Sequence, residues 1–193
     1  MDPIEEFRAQ FARAQAVDRL RLPDPTAMSL ATVSPDGVPS VRTVLLKSVD
    51  SRGFVFYTNL ESRKGRELRA TPLAALCFYW AALDLQIRIE GIVEPVSDEE
   101  ADAYFASRPR ESQIGAWASL QSQELASMNA LRDRVTEMEA RFADRPVPRP
   151  PHWSGRRVVP SSIEFWEAGE FRLHERRHYE RDNGGWQMRR LFP

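Results

Sequence analysis

His174-Glu175-Arg176-Arg177-His178 has the spacing H-E-x-x-H, which on a helix would bring two imidazoles onto one face around a zinc ion, with the glutamate as general base. The flanking residues argue against that helix. Phe171 to Arg176 stands between Gly169 and the Gly184-Gly185 pair, a strand-length segment between turns. In a strand, residues four apart lie about 13 Å from one another at roughly 3.3 Å per residue, too far for one zinc. No metal is expected. The same strand reading offers other chemistry, because Arg172, His174 and Arg176 alternate and would project from one face about 7 Å apart. Such a row of donors suits an anionic ligand. A solvated edge strand would carry the same pattern, so the residues alone leave both readings open.

Ser62-Arg63-Lys64 places a capping residue and two cations at a helix start, where free N–H groups and the helix dipole favour a phosphate. Tyr104 and Arg108 fall at i and i+4 after Ser97 and would point together, with Ser112 close behind Pro109. A solvated helix face explains either motif equally well. Arg42 and Lys47 bracket Val44-Leu45-Leu46, and their odd separation sets them on opposite faces unless a bulge intervenes. Gln86 and Gln121-Ser122 are polar groups near element boundaries with no reading of their own. Of 27 Lys and Arg residues only Lys47 and Lys64 are lysine, so a general arginine bias spared two positions where the smaller, deprotonatable cation matters.

The elements that must carry these groups follow from periodicity. Ile4, Phe7, Phe11 and Ala14 recur at helical spacing before Pro23 and Pro25, an amphipathic helix within residues 1–22. Met28 to Val33, Val41 to Leu46 and Phe54 to Tyr57 are apolar runs of strand length separated by Pro35-Asp36-Gly37 and Asp50-Ser51-Arg52-Gly53, which predicts an antiparallel meander. A helix from Ser62 through Leu68 precedes two more strands, Leu73 to Trp80 and Leu85 to Val93. About five strands with one inserted helix suggest a barrel or sandwich. Ser97-Asp98-Glu99-Glu100 starts a helix running toward Pro109, and Gln123 to Phe142 carries a stripe of Leu125, Met128, Leu131, Val135, Met138 and Phe142 suited to core or dimer packing. After a Pro-rich connector at 146–151, Arg157 to Val159, Ile163 to Trp166, Phe171 to Arg176 and Trp186 to Leu191 read as closing strands, with Asp182-Asn183-Gly184-Gly185 as the last turn. The expected organisation is one domain over 1–193: N-terminal helix 1–22, barrel strands 26–96, helical segment 97–143 and closing strands 153–193. The class is mainly β with α.

A formal net charge of -1 excludes the basic footprint of a nucleic-acid binder. Cys77, inside Leu76 to Trp80, has no cysteine partner and reads as a small packed hydrophobe. The acidic start Met1 to Glu6 is unlike a signal peptide and no run reaches roughly 18 apolar residues, so a cytoplasmic protein without membrane contact is expected. No G-x-G-x-x-G or Walker A loop occurs.

The order and wording of several blocks resemble the pyridoxine (pyridoxamine) 5′-phosphate oxidase family over nearly the whole chain: Asp24-Pro-Thr-Ala-Met28, Arg42-Thr-Val-Leu-Leu-Lys47, Phe56-Tyr-Thr-Asn59, Ser62-Arg-Lys64, Tyr104 to Trp117, Gln121-Ser122, and Ile163-Glu-Phe-Trp166 followed by Arg172-Leu-His-Glu-Arg176. The resemblance implies an antiparallel FMN-binding split β-barrel with peripheral helices, working as a homodimer with active sites at the subunit interface. It implies that Arg63, Lys64 and Arg42 hold the FMN phosphate. The strand Arg42 to Lys47, including Val44 and Leu45, with Tyr57, Thr58 and Gln86, would line the flavin from one subunit. Gln121, Ser122, Trp166 and Arg176 would come from the other. Lys47, Tyr104, Arg108 and Ser112 resemble the substrate phosphate site, with Arg172 and His174 over the pyridine ring as catalytic residues. The activity implied is oxidation of pyridoxine or pyridoxamine 5′-phosphate to pyridoxal 5′-phosphate, with O2 giving H2O2. An oxidase of another reduced ring, such as a phenazine precursor, or a non-catalytic carrier of FMN or pyridoxal phosphate, would share the fold. The chain departs from the family's pattern in three places: it opens at the first helix where a basic segment able to fold over the site often stands, Leu85 replaces a common Arg, and Glu167 a more usual Gln.

Overall fold

A computed structural model of the chain describes residues 2–183 and 185–193. Helix α1 (Pro3–Gln15) begins where the Asp2 carboxylate accepts the Ile4 N–H at 2.8 Å, with proline in the first turn. Its apolar stripe buries Ile4, Phe7 and Ala14, and the Phe7 ring stands edge-on to Phe54 at 4.8 Å. The helix stops well short of residue 22, because Asp18 turns the chain by accepting the Leu20 N–H.

Among the described residues nine strands form one sheet: β1 (Ala27–Val33), β2 (Pro39–Leu45), β3 (Ser48–Asp50), β4 (Gly53–Asn59), β5 (Leu73–Trp80), β6 (Leu85–Pro95), β7 (Trp153–Glu167), β8 (Glu175–Asp182) and β9 (Gly185–Arg190). Their order is β2-β1-β5-β6-β7-β4-β3, with β8 on β7 and β9 on β8. The pairings are antiparallel, and the sheet curls into the split barrel that the resemblance implies. Alternation along β5, with Ala74, Leu76, Phe78 and Trp80 buried, marks the inward face, which continues through Ile87, Ile89, Ile163 and Phe165.

Three expectations about elements are corrected. Arg157 to Val159 and Ile163 to Trp166 belong to one 15-residue strand, β7. Its first part pairs with β4 and its last part with β8, while β6 runs alongside. Pro160 survives there because the register shifts at Glu90/Gly91, a bulge that needs no donor from proline. Next, the helical segment holds three helices: α3 (Asp98–Ala106), α4 (Arg110–Ala118) and α5 (Met128–Arg141). Pro109 opens α4 as its N-cap residue rather than ending the region. Ser127 caps α5 by accepting the Ala130 N–H, so Leu125 and Met128 stay exposed while Met138 and Phe142 are buried. Finally, Phe171 to Arg176 is not a strand. Glu170–Arg172 form a short 3-10 turn, and β8 begins only at Glu175. Gly184 of the expected last turn lies outside the described residues.

Helix α2 (Arg63–Ala70) follows β4. Ser62 caps it, its Oγ accepting the Gly65 N–H at 3.2 Å. No described helix is long and apolar enough to cross a membrane.

Candidate active site

A cavity of about 660 Å³ opens between the end of β2, the end of β4, the start of α2 and the α3–α4 corner, a volume typical of small-ligand sites. Val44 and Leu45 line it from the end of β2, Lys47 from the link to β3, Tyr57 and Thr58 from β4, and Lys64 from α2. Tyr104, Arg108, Ser112 and Gln121 line the opposite side. Tyr104 lies in α3 but Arg108 lies beyond its end, so the expected i, i+4 pair on one helix becomes a pair across a helix–helix corner.

Three aromatic rings make one wall. Tyr57 stacks on Tyr104 at 4.0 Å and on Trp153 at 5.2 Å. Burial, with the nearby Glu100 charge, pushes the Tyr57 phenol up to about 12, so it stays protonated. The Arg108 guanidinium sits 4.8 Å from the Trp153 ring centre, a cation–π contact. Its Nη1 is buried without a hydrogen-bond partner. An arginine donor left unpaired in a cavity is costly unless an anion reaches it.

The second cationic group surrounds the start of α2. Lys64 Nζ donates to Ser62 Oγ at 3.2 Å and to Gln121 Oε1 at 2.8 Å, and makes no ion pair among the described residues. Burial, helped by the charge of Arg42, brings its ammonium down to about 8. Arg63 uses only Nε, donating to Glu67 at 2.8 Å. Arg42 stands behind the cavity wall rather than in it, its Nη groups engaged by Leu30 O, Thr32 Oγ1, Ser40 Oγ and Glu67. Two separate cationic groups with unused donors fit a ligand pair carrying two phosphates.

The remaining expected residues lie elsewhere on the sheet. Gln86, Trp166 and Arg176 stand abreast on β6, β7 and β8, so their side chains share one face. His174 packs on Trp166 with ring centres 4.5 Å apart. Arg176 is held by Glu164 at 2.8 Å and by Phe192 O at 2.9 Å. Arg172 does not alternate with His174 along a strand: Phe171 and Arg172 both take positive φ, 55° and 65°, turning the chain sharply before β8. Ser122, also at positive φ (70°), follows Gln121 outside the cavity lining. Within one chain Gln86 therefore sits with Trp166 and Arg176, and Gln121 with Lys64. His178 bonds Ser162 at 2.9 Å, away from His174, and no cluster of His, Cys, Asp or Glu that could hold a metal occurs among the described residues.

Residues 14–142 match the family described as pyridoxamine 5′-phosphate oxidase, and residues 153–193 match the pyridoxine 5′-phosphate oxidase C-terminal dimerisation region. The chain belongs to the pyridoxamine 5′-phosphate oxidase family. A pyridoxine/pyridoxamine 5′-phosphate oxidase of Myxococcus xanthus is 61% identical over 192 residues, covering 100% of this chain and 92% of that protein. One from Caulobacter vibrioides is 60% identical over 170 residues, covering 88% and 77%. Among solved structures, PhzG from Burkholderia lata, crystallised with tetrahydrophenazine-1-carboxylic acid, aligns with a TM-score of 0.93 at 38% identity, covering 100% of this chain and 93% of that one. An FMN-binding protein from Nostoc punctiforme shares the fold, with a TM-score of 0.77 at 18% identity.

In a pyridoxamine 5′-phosphate oxidase family member, the dimerisation region 153–193 is the segment carrying Trp153, Trp166, Arg172, His174 and Arg176. Residue-by-residue reading missed Trp153, though an aromatic opening a strand after a proline run was its available signal. It also missed Asn59, whose Nδ2 reaches Ser119 O at 3.4 Å, and Glu67, treated below.

Proposed function

We propose that this chain oxidises pyridoxine 5′-phosphate and pyridoxamine 5′-phosphate to pyridoxal 5′-phosphate, with FMN as cofactor and O2 as the final acceptor giving H2O2. The observation that carries this reading is Arg108, half-buried, with its Nη1 buried and unpaired, and set apart from the α2 cations. A flavin phosphate at Arg63 and Lys64 would leave Arg108 unused, whereas a substrate with its own phosphate employs it. Lys47, Tyr104 and Ser112 line the same cavity and add donors to that subsite.

FMN, when bound, supplies the two-electron acceptor for the hydride lost from the substrate C4′ and the route of those electrons to O2. The chain's own residues bind, orient and exclude water. The Tyr57–Tyr104–Trp153 wall gives a flat, dry surface for planar rings. His174 accepts the Gly169 N–H at Nδ1 (3.2 Å), so its neutral ring carries the proton on Nε2. That tautomer supports His174 as a hydrogen-bond donor to the substrate and leaves its Nδ1 already engaged. Arg172 serves as the companion cation over the pyridine ring.

Because Arg172, His174 and Arg176 lie off the 660 Å³ cavity, the reading includes a homodimer in which the dimerisation region of one chain completes the site of the other. The apolar outer sheet face, where Val41, Leu73, Tyr79 and Ile92 are exposed, supplies area for that association. The rival is an oxidase of a reduced ring without phosphate, which the likeness to PhzG suggests and in which Arg108 would meet a carboxylate at most. O2 uptake by the FMN-loaded protein with each of the two phosphorylated substrates tests the proposal. No uptake with either would refute it.

A further inference from the structure

Glu67 is a buried carboxylate that none of the roles above uses. It lies on α2, its side chain only 6% exposed, one turn after the residues that begin the helix. Its Oε2 accepts from Thr32 Oγ1 at 2.5 Å, Ser40 Oγ at 2.7 Å and Arg42 Nη2 at 3.2 Å, and its Oε1 accepts from Arg63 Nε at 2.8 Å. Every donor facing it comes from β1, β2 or α2. Burial alone would push its carboxyl up, but the hydrogen bonds from Thr32, Ser40 and Arg63 hold it down at about 2, so it is an anion throughout the physiological range.

That anion sits behind Arg42 and Arg63, beside Lys64. Three cations gathered at one helix start repel one another, and without a counter-charge the two long arginine side chains would splay into solvent. Glu67 opposes this from the protein side. It grips Arg63 by Nε alone, and both Nη groups of Arg63 make no hydrogen bond among the described residues. It grips Arg42 by Nη2 and shares Ser40 with it, since Ser40 Oγ accepts from Arg42 Nη2 at 2.6 Å. The Nη groups of Arg63 left over are those available to an incoming phosphate.

We propose that Glu67 is a positioning residue for the phosphate of the flavin cofactor: it holds Arg63 by Nε with both Nη groups unused and keeps Arg42 in place behind it, without touching the ligand. This rests on the reading that the start of α2 takes that phosphate. A purely structural glutamate, joining α2 to the sheet, would affect every ligand alike. A positioning glutamate acts through the phosphate alone.

The test compares FMN with riboflavin, which lacks the phosphate, by flavin fluorescence on apo-protein of wild type, Glu67→Gln, Ser40→Ala and Lys64→Ala, with circular dichroism and Tm of each apo-protein. Glu67→Gln keeps the volume, and the Thr32 and Ser40 hydroxyls can rotate to accept its amide. Its FMN Kd is expected to rise about tenfold or more with the riboflavin Kd unchanged. Ser40→Ala should move the ratio the same way by less, and carries the test if Glu67→Gln does not fold. Equal weakening of both flavins, or an unchanged FMN Kd, overturns the proposal. Lys64→Ala separates the two levels. If it leaves the FMN-to-riboflavin ratio at the wild-type value, the phosphate reading of α2 has failed. If it raises the FMN-to-riboflavin Kd ratio while Glu67→Gln and Ser40→Ala do not, Glu67 alone was wrongly assigned.

Discussion

Lys64 Nζ donates to Gln121 Oε1 at 2.8 Å, and this bond ties the start of α2 to the segment leaving α4. A neutral amide is the strongest acceptor Lys64 has in the protein, so its charge is only partly compensated until an anion arrives. Its ammonium, brought down to about 8 by burial and then by Arg42, sets a pH dependence with a definite sign. The phosphate binds the protonated lysine and raises its pKa in the complex. FMN affinity should therefore be level below pH 8 and fall by up to about tenfold per pH unit above it, where binding must take up a proton. Lys64→Arg, which does not lose its proton, should flatten that limb while binding more weakly at neutral pH because its fork does not fit the lysine's place. Titration of FMN fluorescence from neutral to alkaline pH measures both. A wild-type profile without an alkaline limb would exclude Lys64 from the phosphate site.

Arg108 leads to a prediction of the opposite kind. Its guanidinium is fixed by Trp153 and Phe105, at 4.8 and 5.5 Å from their ring centres, so truncation removes a pre-positioned charge. Arg108→Met should raise KM for pyridoxine 5′-phosphate about ten- to hundredfold, the worth of a hydrogen bond to a charged group. FMN retention and kcat should change little. Steady-state kinetics beside flavin content decide this, and a variant that loses FMN instead would move Arg108 to the cofactor.

The strands were legible wherever one face is buried and the other is not. β5 shows its alternation openly, and its expected bounds, Leu73 to Trp80, are the observed ones. Ser62 and Ser97 announced their helices because a cap is a local hydrogen bond, to Gly65 and Glu100 respectively. Pro109 misled, since proline serves equally before a first turn and after a last one, and only α4 packing on α5 decides which. The turn at Phe171 and Arg172 was illegible: two successive positive φ values at non-glycine residues are imposed by tertiary context against local preference. Ten of the residues the resemblance singles out do line one cavity, and the proposal that a second chain brings the others to it concerns contacts that no local pattern encodes.

The position of Arg172 after that turn bears on turnover. Arg172→Ala removes a cation that makes no ion pair among the described residues and no contact with the cavity around Lys64. It should lower kcat about ten- to hundredfold and leave the FMN Kd within about twofold of wild type. Single-turnover reduction of the bound flavin, followed by absorbance, isolates the step. Unchanged flavin reduction would place Arg172 outside the reacting centre.

Gly65 sets a steric condition on the same helix start. A Cβ there would stand 2.2 Å from Leu60 O and 2.8 Å from Asn59 O, backbone atoms that cannot yield without moving the β4–α2 junction. Gly65→Ala should cost about 1–3 kcal/mol by overpacking and lower FMN affinity as well, because Ser62, Arg63 and Lys64 shift with the helix. Denaturant unfolding of the apo-protein and FMN titration should change together. A stable variant with wild-type FMN affinity would mean that the junction tolerates displacement.

Arg157 extends the argument from the cofactor end to the substrate end. Its side chain is 1% exposed, and it reaches Asp50 Oδ1 at 2.7 Å and Glu100 Oε1 at 3.1 Å. It thereby joins β3, β7 and α3, and the Tyr57 hydroxyl donates to Glu100 O at 3.5 Å beside it. Since α3 also carries Tyr104, the arginine fixes one ring of the cavity wall relative to the next. Arg157→Met would leave Asp50 and Glu100 with the exposed Arg52 as their remaining cation, at a cost below the roughly 3–5 kcal/mol of breaking a fully buried pair. The Tyr57–Tyr104 stack should loosen, raising KM for the phosphorylated substrate more than it changes the FMN Kd. Glu100→Gln should do less, and the double variant less than the sum, since the two share one interaction. Additive losses in such a cycle would show that Arg157 stabilises the barrel without holding α3 in place.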